Sequence, residues 1–386
     1  QANCYMTMYV TLGENAAADG CFPHRTEDYI VLKSLAEEYH LAMAYYYLGC
    51  LLYDRRVYDE SIEDYEESIL RSPDFPTVHR NLALAYYNVK KLPQRAYEEM
   101  EKAFALDETD ARVYLELDQL KKRLNVAVKE RWSDMEKHFD LVESRDDLYL
   151  EYVTLLNTLG EPEKALGLIK ARKFHQWEGG EGKVAAQYLT ALYQLAKAAV
   201  EKEDYAEAKE LLLRAVGEYP HNLGEGKLES GQENNLYYLL GLVQEKLGEA
   251  KDAFESLTRA CCGESEPVGM MYYNDQPPEM IYYQGLAKEK LGLPVEAKSR
   301  YYRLLDYGER HLYDKMRVEY FAVSLPDFMI FDDDLDKRNK THCYYLMGLG
   351  YLGLGDKEKA AEAFRNAMQL DPTHLNAGRY LKMVEE

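Results

Sequence analysis

Apolar and small residues recur at helical spacing along most of this chain, and their phase resets at intervals. The pattern is clearest in residues 342–372, HCYYLMGLGYLGLGDKEKAAEAFRNAMQLDP. Tyr344, Met347, Gly348 and Tyr351 mark one stripe, and Ala360, Phe364 and Ala367 mark a second. Gly355 falls between the stripes and Pro372 follows them. This predicts two amphipathic helices folded into a hairpin, with Gly348 and Ala360 small where the helices press closest.

The same phase can be laid along the chain, in units starting near residues 42, 76, 110, 146, 189, 234, 278 and 341, the one at 110 being degenerate. Residues 375–386 are expected to form a closing helix with Tyr380 and Met383 on one side. The first intervals are 34 residues; the later ones lengthen to 43, 45, 44 and 63. Spacing inside each hairpin stays constant. The extra residues are therefore expected after a second helix and before the next first helix. In a stack of hairpins these connections share one edge, where insertions often form a binding face.

Two of the insertions are alike: WEGGEGKV at 177–184 and HNLGEGKL at 221–228, each carrying Gly-Glu-Gly-Lys. A third contains MMYYNDQPP and a fourth spans 308–340. Each Gly-Glu-Gly-Lys segment is expected to run into a helix, whose free N–H groups and dipole suit a carboxylate, a phosphate or an oxygen-rich ligand. Lys183 and Lys227 add cationic donors. His175, Trp177 and Tyr273 offer flat faces, and Glu178, Glu181, Glu225, Asn274 and Asp275 offer directional polar groups. His221 and Asn222 complete the candidate ligand set. A plainer role stands beside this: acids and lysines that cap helices and pair between repeats, on glycines that serve only tight turns. A glycosidase would need two carboxylates about 5–9.5 Å apart, for which Glu178, Glu181, Glu225 and Asp275 are the candidates. No phosphate-loop, nucleophile-elbow or zinc-protease motif is present, so no catalytic residue, metal site or cofactor is assigned. Asp332–Asp334 lack the spacing of a calcium loop.

Tyrosine is abundant, with 35 in the chain, many in doublets. By helical phase Tyr46, Tyr238, Tyr282 and Tyr345 share one position and are expected to line a groove, or else to fill space between neighbouring helices. Composition narrows the partners. A net charge of −21 disfavours a nucleic-acid backbone or an anionic membrane as the main partner. The six cysteines form no C-x-x-C pair, which fits a reduced, cytoplasmic setting. The longest apolar run, Leu41–Tyr53, is too short to span a bilayer. The chain opens inside an element, as a piece of a longer protein would.

The hairpin pattern resembles the tetratricopeptide repeat superfamily over residues 42–374, with a connector at 1–41 and a cap at 375–386. The larger motifs CFPHRTEDYIVL (21–32), FHQWEGGEGKV (174–184), PHNLGEGKL (220–228), MMYYNDQPP (270–278) and YFAVSLPDF (320–328) together resemble the C-terminal half of large bacterial proteins. In those, a β-rich N-terminal domain related to carbohydrate-processing folds precedes the repeats. Gln176 stands where that family has proline. Tyr46 and Cys50 occupy early groove positions where peptide-gripping relatives carry a Lys/Asn/Arg clamp. The resemblance implies an all-α, right-handed solenoid of about eight hairpins with its long loops on one edge. It also implies a protein partner, or the protein's own N-terminal domain, and a carbohydrate connection. The expected function is a non-catalytic interaction module that binds a partner domain, peptide or small polar ligand through the loop-bearing rim and the tyrosine groove. The alternatives are the accessory or catalytic half of a carbohydrate-active enzyme, and a pure scaffold.

Overall fold

A computed structural model describes residues 23–177, 179–227, 232–269, 275–317 and 330–386. All the regular structure among them is helical, and the chain divides into two compact units.

Unit 1 takes in the chain up to Ala127, Lys137–Arg145 and a short stretch ending at Asp332. Its helices are α1 (Thr26–Tyr39), α2 (Ala42–Asp54), α3 (Tyr58–Arg71), α4 (Pro76–Asn88), α5 (Pro93–Leu106) and α6 (Ala111–Arg123). α2–α3 and α4–α5 are antiparallel hairpins. The next unit of the pattern is split. α6 packs on the six-residue α8 (Phe139–Ser144), whereas α7 (Val128–Lys137) belongs to unit 2 as far as Glu136.

Unit 2 holds five hairpins and a closing helix. These are α9–α10 (Asp146–Leu159, Pro162–Ala171), α11–α12 (Lys183–Glu201, Tyr205–Ala215) and α13–α14 (Asn234–Lys246, Ala250–Ala260). They continue with α15–α16 (Pro278–Lys290, Pro294–His311), α17–α18 (Leu335–Gly353, Lys357–Leu370) and α19 (Leu375–Glu385). First helices of successive hairpins also touch, α9 on α11, α13 on α15 and α15 on α17.

Hairpin closure follows from side-chain size. A Cβ on Gly348 would lie 2.4 Å from the Phe364 ring, and one on Gly285 2.2 Å from Tyr301. Gly49 meets Tyr65 and Gly241 meets Leu257 in the same way, each at 2.7 Å. The pattern expected at Gly348 thus recurs in four hairpins: glycine on the first helix admits a large side chain from the second. Each turn between the two helices contains one residue in the left-handed region. It is glycine at Gly160, Gly248, Gly292 and Gly355, but Arg56, Lys91, Asn125 and Glu203 elsewhere.

Two insertions differ from expectation. First helices predicted from 189 and 341 begin earlier, at Lys183 and Leu335, so part of the added sequence is extra helix. Lys183–Tyr188 is rich in helix-favouring residues, and Asp334 accepts the Lys337 amide at 3.0 Å as an N-cap. The short connections satisfy themselves. The Asp107 carboxylate takes the Thr109 amide and hydroxyl at 3.1 and 2.6 Å, and Asp371 treats Thr373 likewise at 2.9 and 2.6 Å. At the long connections asparagines satisfy helix ends instead. Asn222 donates to Ile169 and Arg172 carbonyls, Asn234 to Ala260 and Cys262, and Asn339 to His311.

Candidate functional site: paired glycine loops and a tyrosine cleft

The two Gly-Glu-Gly-Lys segments are neighbours in unit 2, and they do different jobs. The first runs into α11, with its second glycine, Gly182, as the N-cap at φ 73° and its lysine, Lys183, as the first helical residue. A glycine cap has no side chain to offer the first turn. Glu225, from the second segment, supplies it: Oε2 accepts the Gly182 amide at 2.8 Å and Oε1 the Ala185 amide at 2.9 Å. One carboxylate from the next loop thus performs both bonds that a capping box divides between two residues. The helix after the second segment, α13, begins at Asn234 rather than at its lysine, Lys227. The second segment follows a 3-10 turn, His221–Leu223, and sits against the first loop. The Phe174 amide donates to the Asn222 carbonyl at 2.8 Å, and a Cβ on Gly224 would lie 2.7 Å from the Phe174 carbonyl oxygen.

The other candidates are distributed as follows. The Lys227 ammonium is 2.6 Å from both the Val216 carbonyl and the Glu233 carboxylate, binding the end of α12 to the start of α13. The half-buried Trp177 ring lies over Gly180, where a Cβ would come within 2.2 Å. The His175 amide donates to Asp146 Oδ2 at 2.8 Å, its ring stands 3.1 Å from the same oxygen, and Arg172 reaches Asp146 Oδ1 at 2.6 Å. Burial disfavours the Asp146 carboxylate, but these donors outweigh it and hold its pKa below the ordinary value. Glu181, Lys183 and His221 are exposed, and Asp275 is half-buried beside Tyr307 and His342. Glu178, Tyr273 and Asn274 lie outside the described residues. The helix N-terminus expected to receive an anion therefore already holds one, from Glu225. That carboxylate spends both oxygens on α11.

The tyrosines form a second feature of unit 2. Tyr193 of α11, Tyr238 of α13, Tyr282 and Tyr283 of α15 and Tyr380 of α19 surround a cleft of about 220 Å³, with Leu239, Leu286 and Met383 as its apolar wall. The Tyr193 and Tyr283 hydroxyls are 3.0 Å apart, and Tyr380 reaches Tyr283 at 3.5 Å. Burial holds all three phenols well above their ordinary pKa, so they remain neutral hydrogen-bonding groups. Two cations flank them. Lys197 stands over the Tyr193 ring at 6.0 Å. Arg379, exposed on α19, has its pKa lowered by partial desolvation, against which the oxygens of Tyr193, Tyr345 and Tyr380 act.

Of the four groove tyrosines expected, Tyr238 and Tyr282 line this cleft. Tyr345 is interior, its hydroxyl 2.7 Å from Glu279. Tyr46, in unit 1, is packed against Tyr47, Tyr65 and Phe75. Sequence phase missed Tyr193 and Lys197, because the cleft draws on α11, α15 and α19 rather than on one repeated position. It also missed a recurring use of tyrosine. Tyr45, Tyr149, Tyr188 and Tyr237 each sit under an arginine carried at or just beyond the end of the second helix: Arg71, Arg172, Arg214 and Arg259, at 4.3, 4.5, 5.8 and 5.5 Å. The spacing of 22–26 residues between partners was the available signal.

Two family profiles, both described as tetratricopeptide repeat, match the chain, one at 342–374 and the other at 46–111 and 193–267. Among solved structures it is similar to YrrB, described as a TPR protein with an unusual peptide-binding site, at 21% identity over 63% of this chain and 97% of that one, TM-score 0.24. A tetratricopeptide repeat protein from Parabacteroides merdae ATCC 43184 is 14% identical, covering 83% and 99% of the two chains, TM-score 0.36. The Naa15/Naa10 complex bound to HypK-THB is 12% identical over 98% of this chain and 66% of that one, TM-score 0.40. Among the described residues no helix is long and apolar enough to cross a membrane. With its all-α hairpins, its glycine-admitted aromatic contacts and these profile matches, the chain carries tetratricopeptide repeats and is, in general terms, a protein-interaction module.

Proposed function

We infer that this module takes its partner at the tyrosine cleft of unit 2, and that the partner presents an apolar or aromatic side chain beside an acidic one. The carrying observation is one cleft of about 220 Å³ that combines neutral phenol hydroxyls, an apolar wall and Lys197, with Arg379 next to the lining residue Tyr380 on α19. An aromatic or branched side chain fits the apolar wall and gains contact area from rigid tyrosines. A carboxylate next to it would meet Arg379, whose exposed guanidinium can give it a charge-assisted hydrogen bond. In a chain of net charge −21, a local pair of cations also helps steer an acidic segment to this place.

Glu225 and Lys227 enter this reading as braces that set the rim of the repeat stack, with Trp177, Glu181 and His221 on that rim to contact a larger partner. The test is fluorescence polarisation with a panel of labelled peptides pairing Phe, Tyr or Leu with Asp or Glu. Arg379→Glu and Lys197→Glu together should weaken the best binder at least tenfold while the melting temperature holds. Unchanged affinity in that variant would remove the cleft from consideration.

A further inference from the structure

Unit 1 contains a tripeptide from far along the chain, Ile330–Phe331–Asp332, seated on the C-terminal ends of α4 and α6. Asn88, the last residue of α4, holds its backbone from both sides. The Asn88 Nδ2 donates to the Ile330 carbonyl at 2.8 Å, and its Oδ1 accepts the Asp332 amide at 2.8 Å. Arg123, the last residue of α6, donates to the Phe331 carbonyl at 3.4 Å. The Phe331 side chain is fully buried, edge-on to Tyr87 at 5.1 Å and under the Arg123 guanidinium at 5.4 Å. The Asp332 carboxylate meets Lys91 at 3.1 Å.

These contacts have the anatomy of peptide recognition rather than of core packing. Main-chain groups are read by an asparagine that ignores sequence. One ring fills one pocket, and one carboxylate meets one lysine. Polar fixation plus a buried aromatic anchor is how a small number of residues dominates a docking site. The positive groups also stand at helix C-termini, where the dipole favours them.

We propose that the α4–α6 face of unit 1 is a docking site for protein segments carrying an aromatic–acidic pair, Phe followed by Asp or Glu, and that Phe331–Asp332 is its resident self-ligand. A partner bearing the same pair binds by displacing the resident. The site is separate from the tyrosine cleft, and its test does not depend on that reading.

The test uses the full chain and a fluorescein-labelled peptide with the sequence of residues 330–334, IFDDD. Phe331→Ser empties the pocket from inside. That variant should bind the peptide saturably, at least tenfold more tightly than the wild-type chain, whose site is filled. Adding Asn88→Ala to Phe331→Ser should remove the gain, and a peptide with Ala in place of Phe should not bind. Should Phe331→Ser fail to fold by circular dichroism, Phe331→Leu keeps an apolar occupant and must still bind the peptide several-fold more tightly than wild type. If the folded variant takes up no peptide, or takes it up equally with Asn88→Ala, the tripeptide is only a structural tie and the proposal fails.

Discussion

The two units solve the same packing problem with different joints. In unit 1 the α2–α3 and α4–α5 hairpins follow a 34-residue period, and the connections at 72–75 and 107–110 are four-residue turns. Asp107 closes the second of these on its own amide and hydroxyl partners. Unit 2 joins its hairpins through 172–182, 216–233 and 261–277, and those longer segments supply groups to their neighbours: Asn222 to the end of α10, Glu225 to the start of α11, Lys227 across α12 and α13. A helix end left unsatisfied is costly wherever it is buried. A short turn has few side chains and must satisfy itself. A long one has side chains to spare and becomes a brace for the next repeat.

The largest effect that would sharpen this comparison comes from the contact both units share. Gly348→Val drives a branched side chain into Phe364 and should cost unit 2 about 3 kcal/mol, seen as loss of amide protection in α17 and α18. Gly49→Val should do the same to α2 and α3 through Tyr65. The braces come next. Glu225→Ala should cost about 1–2 kcal/mol and open the first turn of α11 to hydrogen exchange, whereas exposed Glu181→Ala should stay within about 0.5 kcal/mol. Equal effects would mean that the loops are not braces.

Acid and base should then separate the units. In unit 1 burial disfavours charge on His79, but Glu99 at 2.6 Å and the Pro73 carbonyl outweigh it and raise its pKa. That stability is fully present below about pH 6.5 and is lost as pH rises through the folded value. In unit 2 the lowered Asp146 contributes stability above about pH 4 that is lost as pH falls through its folded value. His79→Gln should therefore flatten the alkaline side of unit 1's melting profile and Asp146→Asn the acid side of unit 2's. Asp64 of unit 1 runs the other way: burial, with Glu63 and Glu67 adjacent, raises it to about 7. Its folded form holds a proton that the unfolded chain releases, so it weakens unit 1 as pH rises from about 4 to 7. Asp64→Asn should raise the melting temperature at neutral pH and leave it unchanged at pH 3. The smallest effects belong to the hairpin turns. Arg56→Gly in unit 1 and Glu203→Gly in unit 2 relieve left-handed backbone and should each add about 0.5–1 kcal/mol by denaturant titration.

The hairpins were legible because their signal is local: glycine opposite an aromatic, spaced by helical phase, with a glycine or proline at the boundary. Gly348, Phe364 and Gly355 carry all of it within a few turns. The adjacency of the two Gly-Glu-Gly-Lys loops also followed from phase. Their division of labour did not, because whether Glu225 faces a ligand or the Gly182 amide depends on atoms 43 positions apart. The tyrosine cleft was half visible. Tyr238 and Tyr282 share a repeat position, but Tyr193, Tyr283 and Tyr380 reach the cleft from α11, α15 and α19 at positions that no single period marks. The seat of Phe331 on Asn88 was invisible, since nothing in either segment announces the other across 242 residues.

The central claim is that a partner engages unit 2 at the tyrosine cleft. The most direct measurement is methyl NMR of the full chain during titration with the best aromatic–acidic peptide. Met383, Leu239 and Leu286 should shift first and in proportion to occupancy, while methyls of unit 2 that do not line the cleft, such as Leu148 and Ile169, stay fixed. Shifts confined to methyls away from α11, α13, α15 and α19, with those three residues unmoved at saturation, would contradict it.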